Sequence, residues 1–150
     1  MNGKVSDKYE LMEQIDSYYE SWFEINNIYS MWAKSHGIQD STLFTLYIIK
    51  TSEPYCTQNK ICSKLLLPKQ TISVIISSLE KKGYVFREPN PEDRRNKIVR
   101  FTETGENFAD NILEKLKLAE IKAFSQISSE ERNSIIGSFK LLADSLKKGI

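Results

Sequence analysis

The sequence predicts a mostly helical α+β fold in which one β-hairpin interrupts a run of helices. Three observations lead there. Apolar residues recur at helical spacing over most of the 150 residues. The period changes only once, in two short runs at 84–88 and 97–102 that are rich in β-branched and aromatic residues. Gly37, Pro68 and Gly83 stand at joints between these segments.

The first helix is expected over residues 7–34, where Leu11, Ile15, Tyr18, Trp22, Ile25, Tyr29 and Trp32 form a seam in alternating steps of four and three. Tyr19 and Phe23 widen the seam, so this helix should face more than one neighbour. His36-Gly37 ends it, because glycine accepts the left-handed backbone beyond a helix. Asp40 or Ser41 caps a second helix carrying Leu43, Phe44, Leu46, Tyr47 and Ile49, which stops near Ser52 ahead of Pro54. Thr57 caps a short third helix with Ile61, Leu65 and Leu66 inward.

Pro68 opens the fourth helix, where a missing N–H costs nothing. Ile72, Ile75, Ile76 and Leu79 make one buried stripe. The opposite face, Gln70, Ser73, Val74, Ser77 and Lys81, is mostly small and polar, as a helix lying close to a DNA groove requires. The two strands follow, joined by the turn-forming 89–93. A hairpin directly after a helix-turn-helix is a wing. Thr102 caps a fifth helix with Phe108, Ile112, Leu116 and Ala119 along one face. Ser128 with Glu131 forms a capping box for a sixth, which buries Ile135, Phe139, Leu142 and Leu146 and has Gly137 at a close helix approach.

No apolar run approaches the ~18 residues of a membrane span, and the polar N-terminus lacks a signal-peptide stretch, so a cytoplasmic location is expected. The net charge of +1 is unevenly spread. Residues 68–100 hold eight basic and four acidic side chains, a local +4, leaving −3 for the remainder. Such a window on a near-neutral scaffold marks a binding face for nucleic acid. Catalysis is not expected: there is one histidine, no glycine-rich phosphate loop, and neither HExxH nor GxSxG. Cys56 and Cys62 match no zinc pattern and are expected to be reduced thiols, with a redox switch as the alternative. No metal or other cofactor is expected.

Residues 71–105 read TISVIISSLEKKGYVFREPNPEDRRNKIVRFTETG. The ordered set Leu79-Glu80-Lys81-Lys82-Gly83, Arg87, Asp93-Arg94-Arg95 and Phe101-Thr102-Glu103-Thr104-Gly105 closely resembles the MarR-type winged-helix regulators. Flanking helices extend the resemblance over roughly the whole chain. Pro68 stands where that family usually has a capping residue. Val74 stands where a basic one is common, which implies an altered sequence preference.

The resemblance implies a single winged helix-turn-helix domain over 1–150 with a two-stranded wing. Residues of about 40–102 form its DNA-binding lobe, and about 7–36 and 103–148 its dimerisation helices. A homodimer would set two recognition helices in successive major grooves of double-stranded DNA, each wing reaching a minor groove. Lys69, Gln70, Thr71, Ser73, Val74 and Ser77 on the helix, with Arg87, Asp93, Arg94, Arg95 and Lys97 from the wing, are the expected DNA-binding residues. Lys69 suits phosphate and Gln70 suits adenine. Asp93 is expected to pair with Arg95 and stiffen the turn, with Arg94 nearer the tip for the minor groove.

Similar proteins are often repressors released by small phenolic effectors. Tyr18, Tyr19, Trp22 and Phe23, with Tyr47, are the candidate pocket for a small aromatic effector; dimer core is the other reading of the same side chains. The family's peroxide sensors carry a cysteine near the start of the first helix, which this chain lacks, and the lone His36 speaks against a zinc sensor. The rival function is a winged helix used for protein contact, with no DNA site.

Overall fold

The computed structural model describes residues 2–150, with side chains from residue 7 onward. The chain divides into two compact units, Met1–Ala109 and Asp110–Ile150.

In the first unit, α1 (Asn2–Ser35) starts earlier than its apolar seam does. Helix α1 ends on a Schellman turn: Gly37 at φ +78° donates to Lys34 O and Ile38 to Ala33 O. The His36 ring lies on Trp32, 3.9 Å between centroids, with Nδ1 2.8 Å from Trp32 O. Helix α2 (Asp40–Thr51) follows Gln39, and Asp40 accepts the N–H of Ser41 inside the first turn and does not cap it. Helix α3 (Gln58–Leu65) carries the expected cap, Thr57 Oγ1 accepting from Lys60 N at 3.2 Å. Leu66 departs from expectation. It takes the left-handed position beyond α3 (φ +54°) and is 86% exposed, because the reversal into the next helix turns its side chain outward.

Helix α4 (Lys69–Lys81) has Pro68 as its N-cap, one position ahead of the expected place, with Pro68 O accepting from Ile72 N. A second Schellman turn closes it at Gly83 (φ +77°): Gly83 donates to Glu80 O and Tyr84 to Leu79 O. Ile72, Ile76 and Leu79 are buried, and with Leu43, Leu46, Ile61 and Val99 they form the core of this lobe.

Strands β2 (Val85–Glu88) and β3 (Ile98–Phe101) pair antiparallel, Val85 opposite Phe101 and Glu88 opposite Ile98. The sheet has a third strand that sequence did not predict, β1 (Cys56–Thr57), giving the order β1-β3-β2. Helix α5 (Glu103–Phe124) begins where Thr102 caps it, its Oγ1 accepting from Gly105 N at 3.0 Å and donating to Gly83 O at 2.5 Å. Gly105 is the close approach: a Cβ there would stand 1.6 Å from Tyr84 O. Beside it Tyr84 and Phe108 stack face to face at 4.3 Å.

The second unit holds the rest of α5 and helix α6 (Ser129–Gly149), capped as expected by Ser128 Oγ accepting from Glu131 N at 3.1 Å. Arg132 ties the intervening turn by donating to Phe124 O and Ile127 O. The apolar face of α6 is not buried in the single chain: Ile135 and Leu146 are exposed and Phe139 is 58% exposed. Ala119 is likewise exposed, and Gly137 faces open space with no helix against it.

Candidate nucleic-acid interface

Helix α4 presents one open face. With about 3.6 residues per turn, Gln70, Ser73, Val74, Ser77, Ser78 and Lys81 fall on the side away from the buried stripe, and together they line a shallow groove. Lys69, Gln70 and Thr71 are exposed at its N-terminal end, and Val74 is 65% exposed at its centre. A β-branched apolar side chain in that position has no neighbour to bury it within the lobe.

The wing is locked to this helix by Arg87. Its guanidinium donates to Glu80 through Nη1, to Ser77 Oγ at 3.3 Å, to Ser73 O at 2.9 Å and Ser73 Oγ at 3.2 Å, and through Nε to Gln58 Oε1 at 3.3 Å. One planar fork thus spans α3, α4 and β2, using the geometry that arginine has and lysine lacks. Arg87 was expected on the DNA; its donors are turned inward, and half-burial beside the Glu80 carboxylate keeps them there. Ser73 and Ser77 each accept from Arg87, which leaves their hydroxyl protons to donate outward.

The turn of the wing is built from side chain to main chain. Asn90 is buried, and its Oδ1 accepts from Glu92 N at 3.0 Å. Asp93 Oδ1 accepts from the backbone N–H of Arg95 at 3.1 Å, and Asn96 N donates to Asp93 O. The expected Asp93–Arg95 ion pair is absent among the described residues: the carboxylate stiffens the turn by taking the amide, since the adjacent backbone is nearer than a flexible guanidinium. Arg94 and Arg95 are therefore both exposed and without an acid partner among the described residues. Lys97 is half-buried, its carbonyl accepting from Gln58 N, and Asn96 Oδ1 accepts from Asn59 N at 3.0 Å. These two bonds fasten the base of the wing to the start of α3. Arg100 Nε meets Glu88 at 2.5 Å across the hairpin. Glu80, Asn90, Asn96 and Gln58 were not read as site residues from sequence. Their partners lie 7 to 39 positions away in the chain or are local main-chain groups that no side-chain pattern announces.

A family model described as the MarR family matches residues 36–96. The chain is 31% identical to the HTH-type transcriptional regulator YkoM of Bacillus subtilis over 104 residues, covering 69% of this chain and 67% of that one. This chain belongs to the MarR family. The HTH-type transcriptional regulator PrsX of Escherichia coli is 32% identical over 112 residues, 73% of this chain and 67% of its own length. Among solved structures, NMB1585, a MarR family regulator from Neisseria meningitidis, superposes with a TM-score of 0.80 at 26% identity, over 91% of this chain and 96% of that one. The fold recurs in MepR of S. aureus in its DNA complex, with a TM-score of 0.74 at 22% identity over 85% and 97% of the two chains. As a MarR family member the chain is a DNA-binding transcriptional regulator and not an enzyme. Among the described residues no helix is long and apolar enough to cross a membrane, and no acid, histidine and cysteine cluster is arranged to hold a metal.

The candidate effector residues do not line the α4 groove. Tyr18, Tyr19, Trp22 and Phe23 form a ladder along α1, with ring centroids 5.9 Å apart for Tyr18–Trp22 and Tyr19–Phe23. Trp22 is 47% exposed, and Tyr47 is exposed on α2. Cys56 is buried in β1. Burial pushes its thiol above the ordinary value of 9.0, only partly offset by a hydrogen bond with Ser52 and the charge of Lys60. A thiol so placed is a poor nucleophile. Cys62 on α3 is half-exposed.

Proposed function

We propose that this regulator acts in the cytoplasm as a homodimeric, ligand-responsive repressor on a pseudo-palindromic operator. The observation that carries the reading is the rigid spacing of two DNA-facing elements. The open face of α4 and the two unpaired wing arginines are joined through Arg87 and the Asn96–Asn59 bond. In this reading residues of about 40–102 form the DNA-binding lobe, and about 7–36 and 103–148 the dimerisation helices.

Each side chain then has a distinct task. Gln70 reads adenine in the major groove, Val74 meets a thymine methyl, and Ser73 and Ser77 donate to base edges or phosphate. Lys69 and Thr71 hold phosphate at the start of α4, and Arg95 and Lys97 do so from the wing. Arg94 enters the narrow minor groove, where negative potential is concentrated. Arg87 and Asp93 touch no DNA and hold the two elements in register.

Dimerisation covers the exposed apolar residues of α1, α5 and α6, more apolar surface than a monomer ordinarily leaves in water. A small aromatic effector settles against the α1 ladder and Tyr47 and changes the spacing of the recognition helices. A coupling of about 1–3 kcal/mol lowers DNA affinity by one to two decades.

The test is competition titration of DNA from upstream of the protein's own gene against scrambled DNA, at two salt concentrations. Arg94→Ala is expected to weaken both and to flatten the salt slope by about one unit per protomer. Gln70→Ala should leave scrambled DNA unaffected and cost about 1–3 kcal/mol on the cognate site. Unchanged binding by Arg94→Ala would exclude the wing from the interface. A panel of small aromatic acids and phenols that alters neither affinity nor melting temperature would remove the effector.

A further inference from the structure

The wing grips one flank of α4, and the other flank carries a site of its own. Ser73, Ser77 and Glu80, the residues held by Arg87, lie on one side of the open face. Val74, Ser78 and Lys82 lie on the other flank, because each is set one residue beyond the first group's row and a residue turns the helix by about 100°. On that side a cleft of about 510 Å3 opens between α4 and the junction of α1 with α2, lined by Lys34, Ser41, Thr42, Val74, Ser78 and Lys82 among others. It shares Val74 and Ser78 with the groove along the open face, so the two are continuous.

Ile38, Val74, Ile75 and Leu79 give the cleft an apolar lining, and its charged and hydroxyl groups are Lys34, Lys82, Ser41, Thr42 and Ser78. Lys34 and Lys82 are exposed, and neither has an acid partner among the described residues. Ser78 is exposed, and Ser41 and Thr42 are half-exposed. The two acids beside it along the chain, Asp40 and Glu80, do not line the cleft: the Asp40 carboxylate accepts the Ser41 N–H, and Glu80 is held by Arg87. Lys34 stands 35 positions before Lys69, at the end of a helix that sequence reading assigned wholly to dimerisation.

We infer that this cleft is a second DNA-backbone shelf. Lys34 and Lys82, with the Ser41, Thr42 and Ser78 hydroxyls, hold phosphates of the strand on the side of α4 away from the wing. The inference rests on the DNA reading above and names a contact that reading does not contain. Charge complementarity and continuity with the base-reading face select the duplex as the occupant. A helix in a major groove has a phosphate strand on each side, and the wing serves only one of them. The α1–α2 junction is thereby part of the DNA-binding surface.

The experiment measures affinity for DNA from upstream of the protein's own gene and for a scrambled duplex, each of about three helical turns, across a salt series. The proteins are the parent, Lys34→Gln/Lys82→Gln, Arg94→Ala and Ser78→Glu. Both lysines are solvent-exposed, and an unchanged melting temperature confirms that the double variant is folded. It should flatten the plot of log affinity against log salt by about two units per bound protomer, with the preference for cognate over scrambled DNA preserved. Ser78→Glu keeps both lysines, adds a negative charge where the cleft meets the groove, and should weaken binding about tenfold or more at low salt. An unchanged slope and affinity in the double variant, alongside a flattened slope in Arg94→Ala, would overturn the shelf while leaving the DNA reading standing. Stabilisation of the parent by millimolar inorganic phosphate, lost in the double variant while the DNA slope stays unchanged, would also overturn it and make the cleft a free-anion site. A parent that binds no duplex at any salt takes down the DNA reading and the shelf together.

Discussion

Gly105 and Cys56 are single positions whose neighbours dictate their chemistry. At Gly105 the Tyr84 carbonyl occupies the place of a Cβ, so any side chain must push β2 and α5 apart. Gly105→Ala is expected to cost about 3 kcal/mol, the upper part of the overpacking range, read as a fall in denaturation midpoint at unchanged slope. A variant as stable as the parent would mean that the close approach relaxes freely. At Cys56 the fold favours the protonated thiol. That contribution to stability is full below pH about 9 and is lost as pH rises through the folded-state value. The parent should therefore lose more stability between about pH 8 and pH 10 than Cys56→Ala does. In the native protein a disulfide reagent should modify Cys62 first and reach Cys56 only on unfolding; equal rates at the two thiols would contradict the burial.

The wing and recognition helix behave as one element because a half-buried ion pair, with several further acceptors around the same guanidinium, joins them. Removing one partner leaves the other without compensation, which is costlier than removing both. Arg87→Ala should destabilise by about 1–3 kcal/mol and lower DNA affinity although no phosphate contact is lost. The diagnostic is the salt slope, which should stay at the parent value, in contrast to Arg94→Ala. Arg87→Lys restores charge without the fork and should recover little. Glu80→Ala in the Arg87→Ala background should cost less than its effect alone, as expected of residues in one network. A flattened slope in Arg87→Ala would return this arginine to the DNA. The same element shows what sequence reading could reach. The strands, the Asp93 turn and both glycine stops were legible, since each follows from local composition. The two-residue strand β1 was not: Cys56-Thr57 has no period to detect and is a strand only through its pairing with Val99 and Ile98.

For the whole molecule, the deciding feature is apolar surface that a single chain leaves in water. Leu11, Ile15, Trp22 and Phe23 of α1, and Ile135, Phe139 and Leu146 of α6, are all exposed despite clear helical seams. Such seams normally find a partner. Sedimentation equilibrium at micromolar concentration should give twice the mass of the chain. Phe139→Glu is expected to fold but shift the equilibrium strongly toward monomer, because the dimer would have to bury an unpaired carboxylate. The monomer should lose most operator affinity, since two linked half-sites bind with the advantage of high effective concentration. A monomeric parent, or a Phe139→Glu variant as dimeric as the parent, would rule out this face.

Sequence by itself determined the helices, their caps at Thr57, Thr102 and Ser128, the glycine exits at Gly37 and Gly83, the hairpin, and the family. Each of these is written in short-range steps: a period, a cap three residues from its amide, a glycine two residues past a helix. Tertiary structure alone decided that Arg87 faces Glu80 and not solvent, that Leu66 turns outward, that Gly105 admits no side chain, and that Lys34 meets Lys82 at one cleft. The physical reason is range. Propensity and periodicity are properties of neighbours along the chain, whereas an ion pair, a close approach or a shared cleft depends on which distant segments packing brings together.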